Sequence, residues 1–520
     1  MPPTVLDSPV HTATMKLPTF ASSETFAWFQ RSEAQFRIKG VTLSKRNQTM
    51  SSQPPGAIFT IAASSLNNRW GTKGFARPQE NDEYRLPVQT ALLGKRTYLV
   101  LFGILILSGY HTLPSRRLYW SLDADVGVEL IAKAISRDTF EEILRFLPCT
   151  DNQALYKDDK LAKIRPLMNH LNTKFAMAYP MDQHITLDEA MIEYFGRHGC
   201  KQCIRNKPVR FGFKSWCLNS PIGYLATFDV CQGTAVGLNH HYEERFGKDG
   251  DTLMILFEKL PSHIKDIPVR FYFDNYFASL PLVNHQQKIN YEATGTIRDN
   301  RIPKTCPINS TNEIKVPRGD TDVVVDNIHK ILLVRWKDNA VVSVVSNISP
   351  VYPLEIVSRW SAKDKKKISV SRPYLIGDYN RHMGGTDRMD QNINCYRISI
   401  SMKKWWCPIF SWVIDATIQN CWLLHRVEES NLPLLSFKRY IARTYPQQAE
   451  PRVGIGRPRQ SFRVIPDVRY NNIGHLFEPL EKQAWKCALS SCKSRPLQGC
   501  MKCGVPSCVE CFVKYHRRAL

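Results

Sequence analysis

Apolar residues recur at helical spacing from residue 97 to residue 179. The apolar run Tyr98 to Leu107 is about half as long as a membrane span and predicts a core helix. A later helix, which Ser136 or Asp138 can cap, carries a regular apolar stripe: Phe140, Ile143, Leu144 and Leu147. A second stripe comprises Leu161, Ile164, Met168, Leu171 and Phe175. These stripes predict a helical segment that contributes to a core.

The pattern changes to short strands after Gln183. The predicted strands are 185–187, 209–217, 224–230, 269–273 and 291–297, with a helix at 252–260 between the third and the fourth. Three strands joined by short turns and followed by helix, strand, helix and strand suit an RNase H-like α/β core. The Val- and Ile-rich stretch 299–378 predicts a β-rich insertion, and residues 395–426 return to helical spacing.

Acidic residues follow two of the predicted strands. Asp274 comes directly after the strand Val269 to Phe273, and Asp188 comes after the short strand 185–187. A carboxylate at the end of a hydrophobic strand is costly to bury unless a partner uses it. The alternative for Asp274 is that it caps a helix from Tyr276 onward.

A third acidic motif lies in the sequence MGGTDRMDQN. Asp387 and Asp390 follow the pair Gly384-Gly385 and are three residues apart, so on a helix they share one face. Two carboxylates at strand ends and one at a helix start are how a two-metal site is built, because hard cations such as Mg²⁺ or Mn²⁺ take oxygen ligands.

Four motifs together resemble the piggyBac transposase family. They are LDEAMIEYFGRHGCKQCIRNKPVRFGFKSW, FYFDNYFASLPL, YEATGTIR and YNRHMGGTDRMDQN, and the resemblance runs from about Thr97 to His516. It implies that Asp188, Asp274 and Asp387 are the catalytic, metal-binding aspartates and that Asp390 is a fourth acid near the site. It assigns no role to Glu189 or Asp229. It also implies cleavage of double-stranded DNA at transposon ends through hairpin intermediates, and joining at TTAA targets.

The resemblance also implies a domain organisation. A helical dimerisation and DNA-binding domain would be formed by two segments, 97–182 and 395–445, around the other parts. Those parts are an RNase H-like catalytic core (183–298), a β-rich insertion (299–378) and a helix with the third acid (379–394). A basic linker (446–474) and a zinc-binding cysteine-rich domain (475–520) would follow. The family also implies a homodimer.

Residues 1–96 differ from the acidic N-terminus that is usual in the family. Their composition predicts a divergent, partly disordered segment. The stretch 16–42 resembles a fragment of a retrotransposon capsid-type (Gag) domain, and we interpret it as a fused or mispredicted exon.

The net charge limits the partners that the chain can have. The 520 residues carry a formal net charge of +23, which favours nucleic acid as the partner, with a membrane surface as the second choice. No secretory signal is evident, so the fifteen cysteines predict metal ligands or buried thiols in a reducing compartment. A DNA-binding protein of this kind is expected in the nucleus.

Basic residues at three places are candidate DNA contacts. The first set, which follows Asp188, is Lys201, Arg205, Lys207 and Arg210. The second set, next to two tryptophans, is Lys403 and Lys404. The third set is Arg457 and Arg459, of which Arg457 is part of a Gly-Arg-Pro sequence and Arg459 follows it. The stretch from Lys438 to Arg469 is basic throughout. We interpret the CxxC pair Cys200 and Cys203 as incidental.

The C-terminal tail concentrates zinc-type ligands. Seven of them lie within thirty residues: Cys487, Cys492, Cys500, Cys503, Cys508, Cys511 and His516. Two tetrahedral zinc sites need eight ligands, and His475 is the best candidate for the eighth. The family resemblance implies an interleaved two-zinc domain. A ubiquitin-ligase RING is the competing interpretation, which the short gap between Cys492 and Cys500 disfavours.

Two functions from different classes follow from these patterns. The first is a metal-dependent DNA transposase, which the three intact acids favour. The second is a domesticated, sequence-specific DNA-binding protein that keeps the fold without transposition, which the unusual N-terminus favours.

Overall fold

The computed structural model describes residues 95–517, apart from 148, 151, 153–154, 180–181, 206, 234–239, 247–249, 310–316, 428–430, 448–463, 465 and 481–485. The segment 1–94, with the Gag-like stretch, lies outside this range, as do Arg457 and Arg459. The chain forms two compact units, one up to residue 451 and one from residue 452. None of the described helices has the length and apolar character needed to cross a membrane.

Helices precede, interrupt and follow the strands in the described part of the first unit. The N-terminal ones are α1 (Lys95–Ser108), α2 (Glu129–Ala134), α3 (Arg137–Phe146) and α4 (Arg165–Met177), with a 3-10 helix at Arg116–Trp120. The central ones are α5 (His240–Phe246), α6 (Asp251–Glu258), α7 (Ser262–Lys265) and α8 (Leu280–Lys288), with a 3-10 helix at Asp299–Arg301. The later ones are α9 (Tyr374–His382), α10 (Gly385–Cys395), α11 (Cys407–Val427) and α12 (Leu434–Gln447).

The predicted stripes lie mainly on α3 and α4, although Leu147 is the C-cap of α3 and Leu161 and Ile164 precede α4. The Ser136 side chain accepts a hydrogen bond from the Thr139 N–H and so caps α3, whose residues Phe140 and Ile143 are buried. The apolar run of α1 is buried almost throughout, so it is a core helix as predicted.

A mixed sheet forms the centre of the first unit. Its strands are β1 (His184–Glu193), β2 (Lys201–Cys203), β3 (Phe211–Asn219), β4 (Leu225–Val230), β5 (Arg270–Phe273), β6 (Glu292–Thr296), β7 (Thr321–Asp326), β8 (Ile331–Lys337) and β9 (Val341–Ser346). The order is β2-β3-β1-β5-β6-β9-β8-β7, and β4 also pairs with β3. The strands β1, β5 and β6 are parallel neighbours, and the other pairs are antiparallel.

The first strand is longer than the sequence predicts. The prediction ends it at Leu187, whereas β1 continues to Glu193 because its antiparallel partner β3 pairs with it as far as Gly212. The parallel pairing with β5 does stop at Leu187, opposite Phe273. Asp188 therefore lies inside a strand but directly beyond the end of one of its two ladders.

Side-chain amides from two helices cover the free edge of β4. Asn172 of α4 donates to the carbonyl oxygen of Phe228 and accepts from its N–H, at 2.8 and 3.0 Å. Asn420 of α11 makes the same pair of bonds with Leu225, both at 2.9 Å. The two helical segments, far apart in sequence, thus protect one exposed strand edge.

The segment between β6 and α9 is rich in strands. The strands β7, β8 and β9 extend the main sheet, and β10 (Glu355–Ser361) with β11 (Lys366–Arg372) forms a separate two-stranded sheet. Helix α9 begins at Tyr374, inside the range 299–378 predicted as β-rich.

A buried ion pair joins the last two helices of the first unit. Asp415 of α11 and Lys438 of α12 are 2.7 Å apart, with side chains 0% and 1% exposed. The Lys438 ammonium also donates to the carbonyl of Tyr396, and Asp415 accepts from the N–H of Ile398. Lys438, the first residue of the basic stretch, is therefore neutralised inside the fold.

The predicted helix over 395–426 begins only at Cys407. Helix α10 ends at Cys395 and α11 begins at Cys407, so Trp405 and Trp406 lie in the irregular segment before α11. Pro408 stands in the first turn of α11, where its missing N–H costs no hydrogen bond.

The second unit is small. It contains α13 (Pro466–Arg469), β12 (Phe477–Pro479), β13 (Gln498–Cys500), β14 (Val505–Pro506) and α14 (Val509–His516). Its buried apolar cluster consists of Cys500, Val505 and Tyr515. A core of this size requires additional cross-links for stability.

Candidate active site and metal clusters

Three carboxylates meet where β1 and β5 diverge. Asp188, Glu189 and Asp274 each offer one oxygen, and these oxygens all lie within 4.8 Å of one another. Leu187 and Phe273 are the last register pair of the parallel ladder, so Asp188 and Asp274 occupy the next positions on neighbouring strands. The convergence follows from the register between the strands.

Asp274 begins a turn and does not cap a helix. Its Oδ1 accepts the N–H of Tyr276 at 2.9 Å, but the next helix, α8, starts at Leu280 with Ser279 as its cap. The alternative that Asp274 caps a helix from Tyr276 is therefore wrong. The residue is half-buried, and burial raises the pKa of its carboxyl.

Helix α10 brings the third acidic motif to the same end of the sheet. A Cβ on Gly385 would lie 2.6 Å from the hydroxyl oxygen of Thr186 in β1, so only glycine lets the helix start so close to that strand. The Thr386 hydroxyl donates to the Asn219 side chain at 2.9 Å and fixes this first turn. Asp387, in the same turn, is exposed.

Burial and mutual repulsion of the acids outweigh the compensating charge of Lys207. Burial, reinforced by Glu189, raises the pKa of Asp188 to about 8. Burial also raises the pKa of Asp390 to about 7, with the nearby charge of Asp387 adding to the rise. Charges that are held apart from water and from counter-ions favour binding of cations. Asp387 and Asp390 lie near the tight group of three without being part of it.

Lys207 is the basic residue that faces this cluster. Its Nζ is 3.4 Å from a Glu189 oxygen, and the charges of Asp188, Glu189 and Asp387 raise its pKa against the opposing effect of burial. From the sequence, Lys207 is a predicted DNA contact, and Glu189 has no predicted role. The structure places both at the acidic cluster.

Tyr379 of α9 is a site residue that the sequence analysis missed. Burial raises the pKa of its hydroxyl, and the charges of Asp274, Asp188 and Asp387 all raise it further. The hydroxyl also interacts with Thr296, the last residue of β6. The signal was available, since Tyr379 is the first residue of the motif YNRHMGGTDRMDQN.

The donor set suits Mg²⁺ or Mn²⁺. Carboxylate oxygens, which β1, the end of β5 and the start of α10 supply here, are hard ligands. The group formed by Asp188, Glu189 and Asp274 contains neither a thiol nor an imidazole. Asp229 takes no part, because it pairs with Arg165 at 2.8 Å and Lys259 at 2.6 Å, which lower its pKa despite burial.

The eight predicted ligands of the tail separate into two groups of four. One group is Cys487, Cys492, Cys508 and Cys511, and the other is His475, Cys500, Cys503 and His516. Each group has its ligand atoms within 4.8 Å of one another. The groups alternate along the chain, which is the interleaved pattern expected from the sequence.

Ligand-to-ligand distances in these groups suit tetrahedral zinc. Zn–S bonds of about 2.3 Å and Zn–N bonds of about 2.0–2.1 Å imply edges of about 3.7 Å between sulfurs and about 3.5 Å between sulfur and nitrogen. The Cys492 and Cys508 sulfurs are 3.7 Å apart, and the Cys503 sulfur is 3.5 Å from His475 Nδ1 and 3.4 Å from His516 Nε2. The eight residues therefore fit two zinc ions.

The two histidines are oriented from their other nitrogens. His516 Nδ1 is 2.8 Å from the carbonyl oxygen of Phe512, and His475 Nε2 is 3.2 Å from the Asn471 side-chain oxygen. Such bonds select the ring nitrogen that faces the metal position.

Comparisons with known proteins agree with this architecture. A family model described as "Transposase IS4" matches residues 65–422, which is more than half of the chain. The human PiggyBac transposable element-derived protein 3 is 38% identical over 420 residues, 80% of this chain and 69% of that protein. The chain belongs to the piggyBac transposase family. The human PiggyBac transposable element-derived protein 2, at 37% identity over 421 residues, also covers 80% of this chain and 69% of its own length.

A solved piggyBac structure shares the fold. The cryo-EM structure of a piggyBac transposase synaptic complex with hairpin DNA covers 90% of this chain and 97% of its own, with a TM-score of 0.61 and 17% identity. The family resemblance of the four motifs and the α/β class are thereby confirmed.

The candidate DNA contacts of this piggyBac-family chain occupy different environments. Lys201 lies on β2, Arg205 and Arg210 are exposed in the loop before β3, and Lys403 is exposed. Lys404 instead donates to the carbonyl of Leu147 at 2.8 Å, and burial lowers the pKa of its ammonium group.

Proposed function

We propose that this protein is a metal-dependent DNA nuclease and strand transferase that cuts transposon ends and joins them to TTAA targets. The observation that carries the proposal is the meeting of Asp188 and Asp274 at the end of the parallel ladder, with Asp387 on the neighbouring helix start. Family membership supports the reaction class.

The topology supports an RNase H-like core. The strands β4, β3, β1, β5 and β6 lie side by side, three consecutive antiparallel strands followed by two parallel ones. Three strands followed, after a helix, by two more strands is also the order predicted from the sequence. The carboxyl ends of adjacent parallel strands are where such sheets bind ligands.

The residues of the site would divide the work as follows. Asp188, Asp274 and Asp387, with Asp390 nearby, would hold Mg²⁺ or Mn²⁺. Such ions stabilise the charge on a phosphodiester and lower the pKa of an oxygen nucleophile. Lys207 pairs with Glu189 and so keeps a positive charge beside the acids, where an incoming phosphate needs it.

The second unit would carry two Zn²⁺ ions with a structural role. Its core is too small to supply the folding energy, so metal binding would do so. We propose that this unit reads the sequence of transposon ends, that the protein acts as a homodimer, and that it works in the nucleus.

A strand-transfer assay tests this function. A labelled transposon end, a plasmid target, Mg²⁺ and the purified protein should yield joined products whose junctions lie at TTAA. Asp188→Asn should abolish joining, whereas Asp158→Asn, an exposed acid outside the cluster, should not. Joined products from Asp188→Asn at the wild-type rate would contradict the proposal.

The second candidate is a domesticated DNA-binding protein without transposition. The names of the two human relatives describe them as derived from transposable elements, and this observation favours the alternative. It predicts specific binding to one DNA sequence with no metal-dependent cleavage of that DNA. Cleavage of the bound sequence would exclude it.

A further inference from the structure

The β10–β11 hairpin presents one face to the core and one to solvent. The seven register pairs run from Glu355 opposite Arg372 to Ser361 opposite Lys366. On the inner face, Val370 is buried in a local core with Trp336, and Val357 packs against that core. On the outer face, Trp360 and Ile356 do not belong to that core and are 60% and 68% exposed.

Ion pairs fix the hairpin at two levels. At its base, Glu355 pairs with Arg372 of the hairpin and, at 3.0 Å, with Arg381 of α9. Nearer the tip, Asp338 pairs with Arg359 at 3.1 Å and with Arg318 at 2.5 Å. The hairpin is thus held in a defined direction relative to α9, the helix that carries Tyr379.

The tip concentrates positive charge. Its four lysines are all exposed: Lys363, Lys365, Lys366 and Lys367. None of them forms an ion pair within the described part of the chain. The acid between them, Asp364, is turned back, since its carboxylate accepts from the Ser361 hydroxyl at 2.7 Å. Trp360 stands opposite Lys367 in the register.

We propose that this hairpin binds the phosphate backbone of the duplex DNA on which the acidic site acts. The proposal rests on the proposed function for the identity of that duplex. Four unpaired lysines on a rigid support complement a polyanion, and an exposed tryptophan beside them adds contact area against sugar and base edges. An acidic protein surface is the alternative partner, and the experiment below separates the two.

The length of the hairpin separates its tip from α9. A strand of seven residues is about 20 Å long, so the lysines stand about that far from the Glu355–Arg381 pair. The proposed contact therefore lies at the end of the hairpin that is far from α9.

The test is the salt dependence of DNA binding. The full chain with all four lysines changed to glutamine is compared with wild type by titrating a labelled duplex at several salt concentrations. The plot of log K against log salt has a negative slope, and each lost phosphate contact reduces its magnitude by about 0.9. The magnitude for the variant should therefore be smaller by about 2 to 4. The matched control changes four exposed lysines on other elements: Lys157, Lys288, Lys304 and Lys330.

Three results have clear meanings. A reduced slope in the hairpin variant alone, with hydroxyl-radical protection lost at a defined stretch of the DNA backbone, supports the proposal. Equal slopes for wild type and the hairpin variant overturn it and favour an acidic protein partner. Because the slopes need no cleavage, a protein that shows the slope difference but cuts no DNA would refute the nuclease proposal and leave the hairpin as a DNA contact.

Discussion

Removing Lys438 should destabilise the first unit strongly, because it leaves the carboxylate of Asp415 buried without its counter-ion. Both side chains are almost inaccessible, and the pair also holds Tyr396 and Ile398, which follow helix α10. Breaking one partner of a buried pair costs about 3–5 kcal/mol. With an unfolding entropy of about 2.1 cal/mol/K per residue and roughly 350 cooperative residues, about 4 kcal/mol lowers Tm by about 5–6 °C.

The loss should also depend on pH. Burial already raises the pKa of Asp415, although Lys438 opposes the rise. Without Lys438 this pKa rises further. A carboxyl group whose pKa is higher in the folded state stabilises the fold at low pH and loses that contribution as pH rises through the folded-state value. The cost of Lys438→Met is therefore smaller at pH 5 than at pH 8.

Thermal unfolding at these two pH values measures both effects. Arg439→Met, an exposed change at the next position of the same helix, is the matched control and should leave Tm within about 1 °C, since exposed substitutions usually stay within about 0.5 kcal/mol. Adding Asp415→Asn to Lys438→Met removes the unpaired charge and should recover part of the loss. An unchanged Tm in Lys438→Met at pH 8 would refute the reasoning.

Two further predictions concern the metal sites. Cys503→Ser should unfold the second unit alone, reduce bound zinc from two ions per chain by elemental analysis, and make binding to transposon ends and random DNA about equal. Retained discrimination between the two DNAs would refute a recognition role. Because the pKa of Asp188 is about 8 and that of Asp390 about 7, protons compete with metal below those values. Mn²⁺ affinity measured by calorimetry should therefore rise from pH 6 to pH 8.5, and equal affinities would contradict the role of these acids.

Local patterns predicted the elements well, since the stripes of α1 and α3 and the strands around Asp274 depend on nearby residues. The predictions failed where residues far away in the sequence determine the length or the burial of an element. The length of β1 is set by β3, and the burial of Lys438 is set by Asp415. No local pattern in the sequence reports either partner.

The candidate site was predicted in the same uneven way. Motifs identified Asp188, Asp274 and Asp387, because each follows an apolar segment or a glycine pair. The roles of Glu189 and Tyr379 depend on the register of β1 against β5 and on the position of α9. The motif YNRHMGGTDRMDQN includes Tyr379, but its proximity to the acids follows only from the packing of the elements.

Metal-dependent nicking of transposon-end DNA by Asp274→Asn tests most directly the proposal that the acidic cluster is a nuclease site. Asparagine keeps the shape and removes the charge that would hold the metal. Removing a residue that only hydrogen-bonds to a metal ligand lowers metal affinity or activity about 10–100-fold. Removing a ligand itself should therefore lower the rate of nicking in Mg²⁺ or Mn²⁺ more than about 100-fold. We expect this loss with an unchanged Tm and with full activity in the exposed control Asp320→Asn. Wild-type nicking by Asp274→Asn would contradict it.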